Sequence, residues 1–176
     1  MELREVQEPL KQRYREDVGA AVITIRAASS SGDGPMACSV DIGRAVYEAQ
    51  AHAGVGGAGT AACSGDLLLG ALAACAQVTC QMVAAAMQIP VTDVRVAVEG
   101  ELDLRGTLGL SRDVPVGFER IQVKFDLAGP EVTAEQLDSL REKTERYCVV
   151  LQTLTGGTKV DSVWPAARLS RESAAD

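Results

Sequence analysis

The chain has 176 residues, 47% of them hydrophobic and 23% charged, which describes one ordinary globular domain with enough apolar matter for a core. A formal net charge of −7, with no basic block anywhere, argues against nucleic acid and anionic membrane surfaces as partners, because both reward clustered Lys and Arg. Met1-Glu2-Leu3-Arg4-Glu5 lacks the apolar stretch of a secretory signal, so a cytoplasmic, reducing setting is expected and the five cysteines read as thiols rather than staples.

Residues 1–17 are mostly polar, with Leu3, Val6, Leu10 and Tyr14 at helical spacing, and fit a short helix or an arm. Residues 18–28 predict a strand, with Ala21, Ile23 and Ile25 on one face and Val22, Thr24 and Arg26 on the other. A Ser/Gly/Pro turn over residues 29–35 leads to a second strand, in which Cys38, Val40 and Ile42 alternate with Ser39 and Asp41. Residues 44–48 continue this antiparallel meander. Small residues dominate 49–65, including Gly54, Gly56, Gly57 and Gly59, which predicts a loop of the kind that borders a site.

Residues 67–92 carry no charge, which is long enough to cross a bilayer. The run is Ala-rich, however, holds Gln77, Thr79, Gln81 and Gln88, and is flanked by Asp66 and Asp93 without aromatic or basic anchors. It is therefore read as the central helix of a soluble domain, buried on most sides, capped by Ser64 or Asp66 and ending near Pro90. At ~1.5 Å per residue its length is roughly 35 Å.

Two strands follow, residues 94–104 and 118–127, joined by a loop over 106–117; in the second, Ile121, Val123, Phe125 and Leu127 alternate with Gln122, Lys124 and Asp126. A second helix has a capping box in Thr133 and Gln136 and a hydrophobic staple in Val132 and Leu137. Its apolar stripe runs through Leu137, Leu140, Tyr147 and Leu151, places Cys148 toward the core, and ends by Gly156-Gly157. Residues 158–164 predict a last strand before a polar tail over 165–176. No repeat or linker divides the chain, so 1–176 is read as a single domain.

Cys75 lies mid-helix, with Leu68, Leu72, Val78 and Met82 at offsets that share its face. In such a setting a cysteine can be a plain small hydrophobe; as a nucleophile it needs a second residue to lower its pKa, since a mid-helix position gains little from the dipole. Cys80 is five residues on and about 140° round the helix, so it is not the partner. Cys63 precedes the helix and Cys38 is on a strand. Cys148 is the candidate that approaches if the two helices pack together, a disulfide requiring a Cα separation of about 4.4–6.8 Å. His52, the sole histidine, allows a Cys-His pair but reads as an exposed loop residue. Cysteine spacings of 25, 12, 5 and 68 contain no CxxC pair, and no phosphate loop or dinucleotide fingerprint is present, so neither metal nor cofactor is expected.

The segment from Ser64-Gly65-Asp66-Leu67-Leu68-Leu69 to Ala73-Ala74-Cys75 resembles the signature that opens the central helix of OsmC/Ohr proteins, and Tyr147-Cys148-Val149-Val150 resembles their second cysteine motif, usually Cys-Pro-Val. The likeness extends over roughly residues 18–164 and is closer to the general OsmC-like group than to the Ohr peroxidases. It implies an α+β, two-layer OsmC-like fold, antiparallel sheets packed on a long buried central helix, assembled as an intertwined homodimer. Alternating strands with apolar faces and an N-terminal arm also suit mutual burial. The resemblance further implies a thiol peroxidase of oxidative-stress defence, in which Cys75 attacks an organic hydroperoxide, Cys148 resolves the sulfenic acid, and a dithiol reductant such as a lipoyl protein restores both thiols. Departures are visible: Gly65 stands where peroxidases carry glutamate, with Asp66 next to it, and the first hairpin lacks their arginine. Asp66 is thus the candidate acid, or only a cap, and Arg44, with Arg26 nearby, the candidate cation. The alternative is a non-catalytic OsmC-like protein that binds a small apolar or thiol ligand.

Overall fold

A computed structural model describes residues 3–24, 28–31, 37–41, 46–129 and 132–164. The N-terminal stretch forms helix α1 (Leu3–Glu16), followed by a 3-10 turn at Val18–Ala21. The strand expected over residues 18–28 does not form over 18–24; residues 25–27 lie outside the described residues, and Ala28 is the first residue of the next strand. The Asp17 side chain accepts from the Ala20 amide, and Val-Gly-Ala-Ala has little preference for a pleated backbone, so the chain turns instead and Val22 and Ile23 are left exposed. Strand β1 (Ala28–Ser31) begins where a turn is expected; it pairs antiparallel with β2 (Ala37–Asp41), which pairs with β3 (Val46–Gln50) as the meander requires. Arg26 and Arg44 lie outside the described residues.

The glycine-rich segment then folds back. A Cβ on Gly57 would overlap the Ala51 carbonyl, so only glycine lets the chain pass this close, and the return brings β4 (Ala62–Cys63) alongside β3 in parallel. That pairing delivers the chain to the start of helix α2 (Ser64–Met87). Asp66 caps it, accepting from the Cys63 amide at 2.8 Å. Gln88, in the left-handed region at φ 57°, closes the helix two residues before Pro90.

Helix α2 is long and apolar enough to cross a membrane by length and composition, yet it holds the core. Its buried stripe is narrow: Leu72, Ala76, Cys80, Val83 and Ala84. Burial on most sides is therefore not what one chain provides. Among the described residues its neighbours leave Leu68, Val78 and Met82 partly open to solvent.

Strands β5 (Asp93–Glu101) and β6 (Arg120–Ala128) form an antiparallel hairpin from Asp93↔Ala128 to Glu101↔Arg120. Val94, Val96, Val98, Ile121 and Val123 turn toward α2, as their alternation predicts. Leu104, expected in a strand, belongs to the short helix α3 (Leu104–Thr107), because Asp103 captures the Arg105 amide at 2.9 Å and ends the extended backbone. Helix α4 (Ala134–Tyr147) starts on the predicted box, with Gln136 N–H to Thr133 Oγ1 at 3.2 Å and Thr133 N–H to Gln136 Oε1 at 3.0 Å.

The single second helix of the sequence reading is in fact two. Cys148, at φ −73° and ψ 105°, is extended; it ends α4 and starts α5 (Val149–Thr155). Residues 158–164 form no strand, and Val160, Val163 and Trp164 are highly exposed, because no edge lies beside them among the described residues. The core is continuous along α2: Cys80, Val83 and Ala84 pack with Ile89, Val94 and Leu140, while Leu72 and Ala76 pack with Cys148.

Candidate functional site

Cys75 and Cys148 meet. Cys75 is half-buried on α2, at the edge between the buried stripe and the open face, so Leu72 walls its inner side while Val78 and Met82 lie outside. Cys148 is fully buried beside it, packed on Leu72 and Ala76, and both are free thiols. The break at Cys148 positions the pair. Because the chain leaves helical geometry there, the first amides of α5 have no intrahelical acceptor and are turned to the Cys75 sulfur.

The electrostatics separate the two thiols. Burial pushes the Cys75 thiol up, but the Val150 amide, the Cys148 thiol, the Thr79 hydroxyl and the Val149 amide all donate toward its sulfur; together they outweigh burial and hold it below the usual thiol range. The Thr79 oxygen is 4.0 Å from that sulfur, one turn along the same helix. Cys148 goes the other way. Burial pushes its thiol up, the Leu151 and Val150 amides recover only part, and the neighbouring Cys75 sulfur adds to the rise by hydrogen bond and by charge. Of the two thiols, Cys75 is therefore the one that gives up its proton more readily and Cys148 the one that retains it.

Among the described residues, every donor that lowers Cys75 is neutral. Asp66 sits nine residues earlier on α2, about 13.5 Å along the axis, and serves the helix N-terminus. Its carboxyl is held below the ordinary range by the Cys63 amide first and then the Cys63 thiol, with burial opposing and the charge of His52 a lesser aid. His52 is exposed and accepts from the Gly54 amide at 3.0 Å; it lies near Asp66 rather than with the dithiol. These groups, with Leu69, Glu101 and Phe118, line a separate cavity of about 720 Å³ at the start of α2. A Cβ on Gly100 would come within 2.6 Å of the Phe118 ring, so glycine there lets the ring form the cavity wall. Arg44 lies outside the described residues.

The sequence reading missed the donors, Thr79 and the amides of Val149 and Val150. Thr79 was legible as the i+4 neighbour of Cys75. The helix break had a fainter signal: two β-branched residues, Val149 and Val150, directly after Cys148.

A family profile described as OsmC-like protein matches residues 57–163, more than half of the chain and inclusive of both cysteines. The chain belongs to the OsmC family. Its fold is that of the OsmC-like protein of Mycoplasma pneumoniae, with a TM-score of 0.64 at 15% identity over 77% of this chain and 89% of that one. An organic hydroperoxide resistance protein from Elizabethkingia anophelis gives 0.58 at 22% identity, covering 77% and 91%. The organic hydroperoxide resistance protein OsmC of Legionella pneumophila gives 0.57 at 18%, with the same coverage. No curated protein matches the chain in sequence.

Proposed function

We propose that this OsmC-family chain is a cysteine-based peroxidase that reduces organic hydroperoxides through Cys75 and Cys148. The observation that carries the reading is the opposed protonation preference of two adjoining thiols, one lowered by four donors and the other raised. The Cys75 thiolate attacks the terminal oxygen of the hydroperoxide; the O–O bond breaks, the alkoxide leaves and takes up a proton as alcohol, and Cys75 becomes a sulfenic acid. Cys148 sulfur then displaces the hydroxyl from Cys75, water leaves, and a disulfide forms. Two electrons from a dithiol reductant, such as a lipoyl group, restore both thiols by exchange. A cytosolic setting keeps that resting state reduced. Apolar surroundings, Leu72 within and Val78 and Met82 outside, favour an alkyl group over hydrogen peroxide.

In this reading Asp66 keeps its cap role, and the amides of α5 help to hold the Cys75 thiolate. A homodimer is part of the proposal, since a second copy would cover the open apolar face of α2. Mixing the reduced protein with cumene hydroperoxide should consume peroxide and yield one disulfide per chain between Cys75 and Cys148, read by peptide mass spectrometry. Absence of both products from fully reduced protein contradicts the reading.

The cavity of about 720 Å³, lined by neither cysteine, favours a second reading, a non-catalytic binding protein for a small apolar or thiol ligand. A ligand retained in native mass spectra, together with no peroxide turnover, selects it.

A further inference from the structure

A second, smaller cavity of about 230 Å³ opens between α2, β6 and α4. Phe125, Leu127, Leu137 and Leu140 form its apolar walls, the Cys80 thiol and Thr144 lie among them, and Asp138, Arg141 and Glu145 also line it. Cys80 is about 140° round α2 from Cys75, so this cavity lies on a different face from the dithiol. Thr144 is only 2% exposed, and its hydroxyl oxygen is buried without a hydrogen-bond partner. It reaches toward the Cys80 thiol without meeting hydrogen-bond geometry, and it does not take the carbonyl one turn back, the usual recourse of a threonine inside a helix. A buried hydroxyl left unpaired is unfavourable, and such a group calls for an explanation.

Water answers poorly here. An ordered buried water needs about two to four polar partners, and beyond the Thr144 hydroxyl and a weakly polar thiol the inner walls are hydrocarbon. A dry apolar cavity of ~150 Å³ accommodates benzene, so the present space suits a body of roughly six to eight carbons. The charged lining residues are exposed: Arg141 pairs with Asp138 at 3.6 Å, and Glu145 leaves the rim one negative charge, which disfavours an anionic ligand. Burial pushes the Cys80 thiol up, with the Thr144 hydroxyl opposing, which makes it a poor nucleophile and the cavity a place for binding rather than reaction.

We infer that this cavity is an accessory binding site for a small neutral molecule with an apolar body and a single hydroxyl or carbonyl group, which pairs with the Thr144 hydroxyl. The site is independent of the dithiol chemistry, and failure of either leaves the other standing. Benzyl alcohol and toluene test it, because they share a ring and differ in one hydroxyl. Titration of the whole chain, followed by the amide signals of Cys80, Leu140 and Thr144, should show saturable binding of both at millimolar concentration. Thr144→Val keeps the shape and should lower the affinity ratio of benzyl alcohol to toluene about fivefold, whereas Thr144→Ser should preserve it. Leu137→Trp, at a half-exposed position on the wall, should fill the cavity and abolish both. No saturable binding to the wild type, an unchanged ratio in Thr144→Val, or undiminished binding to Leu137→Trp would each overturn the inference.

Discussion

At Cys75, among the described residues, neutral donors do what a cation does in many thiol enzymes. A donor to the thiolate stabilises the charged form, so removing one must raise the pKa. The Cys148 thiol is such a donor, and in Cys148→Ala the half-maximum of Cys75 alkylation should move to higher pH than in the wild type, where it lies below the usual thiol range. The sign is fixed by the mechanism: as the pKa rises, a smaller fraction is thiolate at any pH below it, and iodoacetamide reacts more slowly there. Peptide mass spectrometry of the reduced protein across pH separates Cys75 from Cys63 and Cys80. An unchanged or downward-shifted Cys75 profile in Cys148→Ala refutes the donor role. Cys75 and Cys148 were legible in the sequence as a pair because both fall on apolar stripes. Their relative protonation was not, since it depends on where two amides of another helix point.

The elements show why patterning succeeds in some stretches and fails in others. Helix α4 announces itself through Thr133 and Gln136, because a capping box is local and needs no distant partner. Strands β5 and β6 are equally legible, since one face packs on α2 and the other is wet. Residues 18–24 mislead for the converse reason: alternation alone does not supply a neighbouring ladder, and Asp17 offers the backbone a nearer partner. Asp66 carries two sequence readings, acid and cap, and its position at the third residue of α2 supports the cap. Asp66→Ala should therefore cost about 1 kcal/mol of stability, measured by urea unfolding. The cost should vanish in acid. The carboxyl of Asp66 is lowered in the fold, so its stabilisation is present above the unfolded pKa and is lost as pH falls through the folded one. Equal stability of variant and wild type at neutral pH contradicts the cap.

At the scale of the molecule the conspicuous feature is a central helix whose apolar side chains are, among the described residues, only partly covered. The inner stripe from Leu72 to Ala84 is fully used, while Leu68 at 38%, Met82 at 40% and Val78 at 53% exposure face outward, next to Val149 at 70%. Contiguous apolar exposure of this kind marks an interaction surface. In the proposed homodimer, the charge-free run that raises the membrane alternative in the sequence serves the core with one face and a second copy with the other. Light scattering at micromolar concentration should give twice the chain mass of 18.4 kDa, and a Val78→Glu, Met82→Glu variant should move toward the monomer. A wild-type mass near 18.4 kDa contradicts the dimer.

The central claim is that Cys75 is the thiol that meets peroxide and Cys148 the one that resolves it. Trapping with dimedone in Cys148→Ser tests this most directly, because with the resolving sulfur gone the sulfenic acid has no partner and must wait for the reagent. One equivalent of cumene hydroperoxide should leave a dimedone adduct on Cys75 in Cys148→Ser, and none on Cys148 in Cys75→Ser. An adduct on Cys148 in Cys75→Ser at a comparable rate, or no adduct on Cys75 in Cys148→Ser, would contradict the account.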